Sequence, residues 1–163
     1  MTMTMTQSAP PEAKPQTAGR VVVGVDDSDA SREALRWAAD VARWRNWTLH
    51  IVHTWHMSYP VTPYAPDLGA IETAVMRGAE EICRDIEAEV LGEAEDIDVR
   101  ETVAEGSAAH VLVAASNGAD LLVVGSRGRG GIASLALGSV GQACVHHAHC
   151  PVLVVRPQRP KPR

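Results

Sequence analysis

Two short runs, "VVVGV" at 21–25 and "LLVVG" at 121–125, are apolar at successive positions rather than at alternate ones. A strand with one wet face alternates, so these runs describe strands covered on both faces, the condition of strands inside a parallel sheet. That requirement constrains the fold more than any other feature of the chain. Parallel neighbours cannot be joined by a tight turn, and each connection must cross back over the sheet, ordinarily as a helix.

The intervening segments supply those helices. After "RVVVGVDDS", the stretch "DASREALRWAADVARWRN" places Leu35, Ala38, Ala39 and Ala42 on one face and arginines on the other. This spacing predicts an amphipathic helix from Asp29 or Ser31 to about Asn46. "TLHIVHTW" predicts a second strand, and a loop with three prolines follows. Ile71, Val75, Ile82, Ile86 and Val90 then recur at helical spacing, predicting a second helix from about Leu68 to Leu91. "DVRETVAEG" reads as a third strand, "SAAHVLVAASNG" as a short helix closed by Asn117-Gly118, and "ADLLVVGS" as a fourth strand. A helical segment from Gly138 and Ser139 to about His147 and a fifth strand in "CPVLVVRP" complete the order βαβαβαβαβ. The expected fold class is α/β, with an open parallel sheet and helices on both faces.

A chain of 163 residues fits one domain, expected over residues 20–157. Residues 1–19 are Thr, Pro and polar and read as a disordered tail; residues 158–163 form a basic one. No apolar stretch in the first tail is long enough for a signal peptide or membrane span, so the chain reads as cytoplasmic, with no membrane partner. Cys83, Cys144 and Cys150 are odd in number and lack C-x-x-C spacing, as reduced thiols would be.

The net charge of −5 argues against general nucleic-acid binding. Yet no acidic residue follows Asp120, while Arg127, Arg129, Arg156, Arg159, Lys161 and Arg163 all do. Either the basic end is a solvated tail with two solvated arginines, or Arg127 and Arg129 border an anion site.

Open parallel sheets bind ligands beyond the C-terminal ends of their strands, where strand order reverses. The positions to inspect are Asp26-Asp27-Ser28, His53-Thr54 and Gly125-Ser126. The last opens a segment with five glycines between Gly125 and Gly138, directly before a helix, where backbone N–H groups can meet an anion. A P-loop is excluded, because no Lys-Ser or Lys-Thr pair follows a glycine. "GRGGIA" fits a loose dinucleotide pattern but follows the wrong strand, and no acidic residue comes after it to hold a ribose.

The spacing Gly125-x2-Gly128-x9-Gly138-Ser139 resembles that of the nucleotide-binding universal stress proteins. The resemblance extends through "VVVGVDDSDASREAL", "LHIVHTW", "DLLVVGSRGRGG" and "HHAHCPVLVVRP", and is weak through residues 57–98. It implies a Rossmann-like sheet of order 3-2-1-4-5 that binds ATP, with or without Mg²⁺, at the junction of the first and fourth strands. By the same resemblance, Asp26 and Thr54 would lie against adenine, with Val124 packing beside them. Gly125 and Gly128 would approach ribose and phosphates, and Gly138, Ser139 and Val140 would bind phosphate. Arg127 and Arg129 would screen or gate the site. The resemblance also implies a homodimer built on the fifth strands, an arrangement that would cover an apolar edge.

Each of these residue types also has a plainer use. Asp26 could simply cap the first helix, and Gly138-Ser139 could be only a helix start. His146 and Cys150 could ligate zinc from one helical face, but the residue before Pro151 avoids helical geometry, so helix-end histidines are preferred. His50, His53 and His56 match no metal template, and His53 is expected to pack inside. No nucleophile elbow accompanies the serines, so no catalytic triad is assigned. The expected function is an ATP-binding regulatory or stress-response protein with at most slow hydrolysis and an unidentified protein partner. The alternatives are an ATP-splitting or adenylate-transferring enzyme, or an adaptor for AMP or cyclic AMP.

Overall fold

The computed structural model describes residues 19–56, 68–92, 96–128 and 137–157. Along it run β1 (Arg20–Val25), α1 (Asp29–Arg45), β2 (Thr48–Trp55), α2 (Leu68–Leu91) and β3 (Val99–Glu105). They are followed by α3 (Ala108–Ala115), β4 (Leu121–Gly125), α4 (Ser139–His147) and β5 (Val152–Val155). The five strands pair in parallel in the order β3-β2-β1-β4-β5, a Rossmann-like arrangement. The chain moves outward from β1 through β2 to β3, then returns past β1 to lay down β4 and β5. Strand order therefore reverses between β1 and β4, where a crevice forms.

The two-faced apolar runs find cover on both sides. Val21, Val23 and Val25 of β1 join Leu49, Ile51 and Val123 in one layer, under Leu35 and Ala38 of α1 and Ile86 of α2. Val22, Val52, Leu122 and Val124 turn the other way, toward Leu112 of α3 and Cys144 of α4. Val21, Val22 and Val23 are 0% exposed, and each such side chain contributes roughly 1.5–3 kcal/mol through burial. Sheet edges differ from this centre: Val152, Leu153 and Val154 of β5 are only half-buried, and β3 exposes Arg100, Glu101 and Glu105.

Local chemistry sets the ends of α1. Its cap is Ser28, whose side chain accepts a hydrogen bond from the Ser31 N–H. Asp26 is thus not the cap of the helix. The other end closes at Asn46, in the left-handed region at φ 54°, with its N–H turned back to the last carbonyls. Arg43 and Arg45 in the last turn complement the helix dipole.

Each layer buries one thiol, Cys83 of α2 and Cys144 of α4, both 0% exposed. Burial pushes the Cys83 thiol up to about 12, with the Glu101 and Glu87 carboxylates adding to the effect. Burial likewise pushes Cys144 up to about 11. Cys150 is partly buried, and all three cysteines are unbridged. No helix among the described residues is long and apolar enough to cross a membrane. Expectations for residues 1–18, the three-proline loop at 57–67 and the basic tail at 158–163 lie outside the described residues.

Candidate functional site

Beyond the C-terminal ends of β1, β2 and β4 lies a cavity of about 510 Å³. Asp26 enters it from the end of β1 and Thr54 from the end of β2. Val124 and Gly125 line it at the end of β4, and Arg127 and Gly128 just past that strand. Gly138, Ser139 and Val140 close it at the start of α4. Nine of the ten residues singled out in the sequence therefore border one space, whatever occupies it. Arg129 lies outside the described residues.

Asp26 is held from both sides of the loop between β1 and α1. Its Oδ1 accepts from the Ser28 hydroxyl at 2.6 Å and from the Ser28 N–H at 3.2 Å. Its own N–H donates to Ser31 Oγ at 3.3 Å. Oδ2 points to Gly128, where a Cβ would run into it, so glycine at 128 lets the two loops close. The Ser28 hydroxyl also lies 3.5 Å from the Arg127 carbonyl, a second link across the crevice.

Gly125 in the cavity wall also answers to a steric demand. A Cβ there would meet the Ala30 backbone at 2.9 Å, so the residue must be small for β4 to pass α1. Gly138 is under no such demand, since its nearest neighbour to a Cβ would be the Arg127 Cα at 3.6 Å. Its N–H donates to the Ser126 carbonyl at 2.8 Å, seating the start of α4 beside β4.

The first turn of α4 is the chemically open part of the wall. A helix leaves its first N–H groups without intrahelical acceptors, and a cap residue usually satisfies one of them. Gly138 stands at the cap position of α4 and provides no side chain for the purpose. The N–H groups of the first turn and the half-positive end of the helix dipole therefore border the cavity, together with the exposed Ser139.

Sequence reasoning missed several wall residues. Gly24, Val25, Ser31, Val52, Leu112 and Gly141 also line the cavity. Gly24 was detectable, because a glycine inside a valine run marks close approach by another element; here a Cβ would meet Leu112 Cδ1 at 2.8 Å. His53 does pack inside: it is 6% exposed, and its Nδ1 donates to the Val25 carbonyl at 2.8 Å. His146 and His147 are exposed in the last turn of α4, which ends before Cys150. Among the described residues no three His, Cys, Asp or Glu side chains are grouped to hold a metal ion.

Comparison with known proteins places this geometry. Residues 17–156 match the model of the universal stress protein family. The chain belongs to that family. A universal stress protein of Mycolicibacterium smegmatis is 33% identical over 138 residues, covering 83% of this chain and 47% of the relative. The chain thus spans about half the length of the curated relatives it matches. Among family structures, UspA from Lactobacillus plantarum superposes with a TM-score of 0.72 at 25% identity, covering 85% of this chain and 97% of its own. A universal stress protein in complex with cAMP has a TM-score of 0.55 at 28% identity, covering 86% and 98%.

Proposed function

We propose that this chain binds an adenine nucleotide in the cavity between β1 and β4, with phosphate on the first turn of α4 and the base toward Asp26 and Thr54. The observation that carries the reading is the uncapped start of α4, whose N–H groups and Ser139 border the cavity. Phosphate is the group such a helix start is suited to hold. Its tetrahedrally arranged, negatively charged oxygens can accept from several N–H groups at once.

The relative in complex with cAMP favours a ligand with one phosphate. We therefore put cyclic AMP or AMP first among candidates. A second reading, ATP with Mg²⁺, is favoured by the complete Gly125-x2-Gly128-x9-Gly138-Ser139 spacing and by Arg127 in the wall, which would meet further phosphate charge. In either case occupancy would act as a signal, biasing the loops at the crevice and the partners that read them. The half-buried edge of β5 supports pairing with a second copy through that strand.

Calorimetric titration of cyclic AMP, AMP, ADP and ATP, with and without Mg²⁺, tests the proposal. The comparison protein is a Gly128→Ala, Ser139→Ala double variant. A single-phosphate ligand that binds the wild type and is weakened about tenfold or more in the variant fits the loss of a charge-assisted hydrogen bond. Affinity climbing with phosphate number moves the assignment to ATP. Absence of binding by every adenine nucleotide overturns the proposal.

A further inference from the structure

Asp27 stands in the left-handed region at φ 66°, and Asn46 is the other non-glycine with positive φ among the described residues. Asn46 closes a helix, a place where that conformation is common. Asp27 lies instead between Asp26, in the cavity wall, and Ser28, the cap of α1. Asp and Asn tolerate this conformation better than other residues with a Cβ, yet less well than glycine, so neighbours that hold it contribute to keeping it.

The neighbour that holds Asp27 is Arg32. Its Nη1 donates to the Asp27 carbonyl at 2.6 Å and its Nη2 to Asp27 Oδ1 at 2.5 Å, so one guanidinium grips both backbone and side chain. Its Nε donates to Glu89 Oε2 of α2 at 2.8 Å. The Arg32 side chain is 21% exposed, and these bonds push its pKa up, Glu89 contributing first and Asp27 next. The planar fork makes three directed bonds where a lysine ammonium has a single point of charge.

Resting on the nucleotide reading for its effect on affinity, we propose that Arg32 is a positioning residue of the cavity. It holds Asp27 left-handed, the turn at Asp27 aims the Asp26 carboxylate under Gly128, and Glu89 ties that aim to α2. None of the three residues Asp27, Arg32 and Glu89 lines the cavity itself. Their influence passes through the direction of the chain at Asp26.

The test pairs Arg32→Met, which keeps the stem and loses all three bonds, with Asp27→Gly, which adopts positive φ without a clamp. Amide hydrogen exchange on the ligand-free chain is read at Asp26 and Ser28, whose N–H groups donate to Ser31 Oγ and Asp26 Oδ1. Val22 and Val23 in β1 serve as internal references. In Arg32→Met the two loop amides are expected to exchange about tenfold faster, and cyclic AMP affinity to fall by about the same factor. Both return to within about threefold of wild type in the Arg32→Met, Asp27→Gly double variant. Arg32→Lys gives the same pattern at smaller amplitude and substitutes for Arg32→Met if that variant does not fold.

Unchanged exchange at Asp26 and Ser28 overturns the inference. Faster exchange with unchanged affinity also overturns it, because the aim of Asp26 then has no bearing on the ligand. A loss that Asp27→Gly fails to recover assigns Arg32 to general stability and overturns it as well. If the wild type binds no adenine nucleotide, the nucleotide reading fails on its own account, and the exchange measurement still decides whether Arg32 sets the loop.

Discussion

The helices α1 and α4 both start where a central strand ends, and both starts border the same crevice, yet they are finished in opposite ways. At α1, Ser28 accepts from Ser31 N–H and donates to Asp26, so hydroxyl, carboxylate and helix amide satisfy one another. At α4, Gly138 occupies the cap position with no side chain to offer, and the first-turn amides border the cavity. The difference is one between a terminus completed by a side chain and a terminus without one. On the proposed reading it also divides the labour of the site: the α1 side fixes the Asp26 carboxylate, while the α4 side offers donors.

Ser139→Pro should break the comparison most visibly. Proline is tolerated at the first helical position, and Gly138 at ψ 165° already has the extended geometry that precedes a proline. Stability should therefore change by less than about 0.5 kcal/mol in urea unfolding. Nucleotide affinity, having lost a backbone donor and a hydroxyl, should drop on the order of 100-fold by calorimetry. A stability loss with affinity intact would make α4 an ordinary helix start.

Gly128→Ala probes the contact between the two sides. Its Cβ collides with Asp26 Oδ2 and must displace that carboxylate from its bond with Ser28, so affinity should fall about tenfold. Ser28→Ala removes the cap of α1 and should cost about 1 kcal/mol of stability in the same unfolding assay. The corresponding Gly138→Ala should leave stability close to wild type, since its Cβ meets only ordinary contacts and no cap bond is lost.

The smallest effect separates stability from binding along the pH axis. Glu87 on α2 has its pKa raised to about 7, first by a hydrogen bond with Glu101 and then by burial. A carboxyl raised in the folded state is protonated there while its unfolded counterpart has already ionised. Folding through this group is therefore favoured at low pH and loses ground as pH rises from about 4.5 to about 7. Glu87→Gln should flatten the fall of melting temperature across that window. Binding at the crevice should not follow Glu87, which lies on α2 outside the cavity wall.

What could be read from the sequence divides along the same line as the site. Strand β1 and helix α1 were legible because burial on two faces and on one face leave different periodicities, and each periodicity is local. The glycine spacing was legible as a pattern, but its reasons were not: Gly125 is demanded by the Ala30 backbone, Gly128 by the Asp26 carboxylate. Both partners lie about a hundred residues away along the chain, where no window of sequence reaches. Asp26 as a possible helix cap was a near miss of two positions, since Asp, Asp and Ser in succession all suit a cap. The left-handed Asp27 was hidden for a different reason. Glycine would have advertised that conformation, whereas aspartate adopts it here because Arg32 grips it from the next turn.

The two buried thiols give the molecule a pair of clocks. Cys83 under α2 and Cys144 under α4 sit in opposite layers of the sheet, and neither is a reactive thiolate while its helix stays in place. Alkylation of each can therefore proceed only as fast as its own layer lifts from the strands. Timing the two modifications in one sample, with and without ligand, would show whether a nucleotide fastens the α4 layer it touches or, through Glu89 and Arg32, the α2 layer on the far face of the sheet.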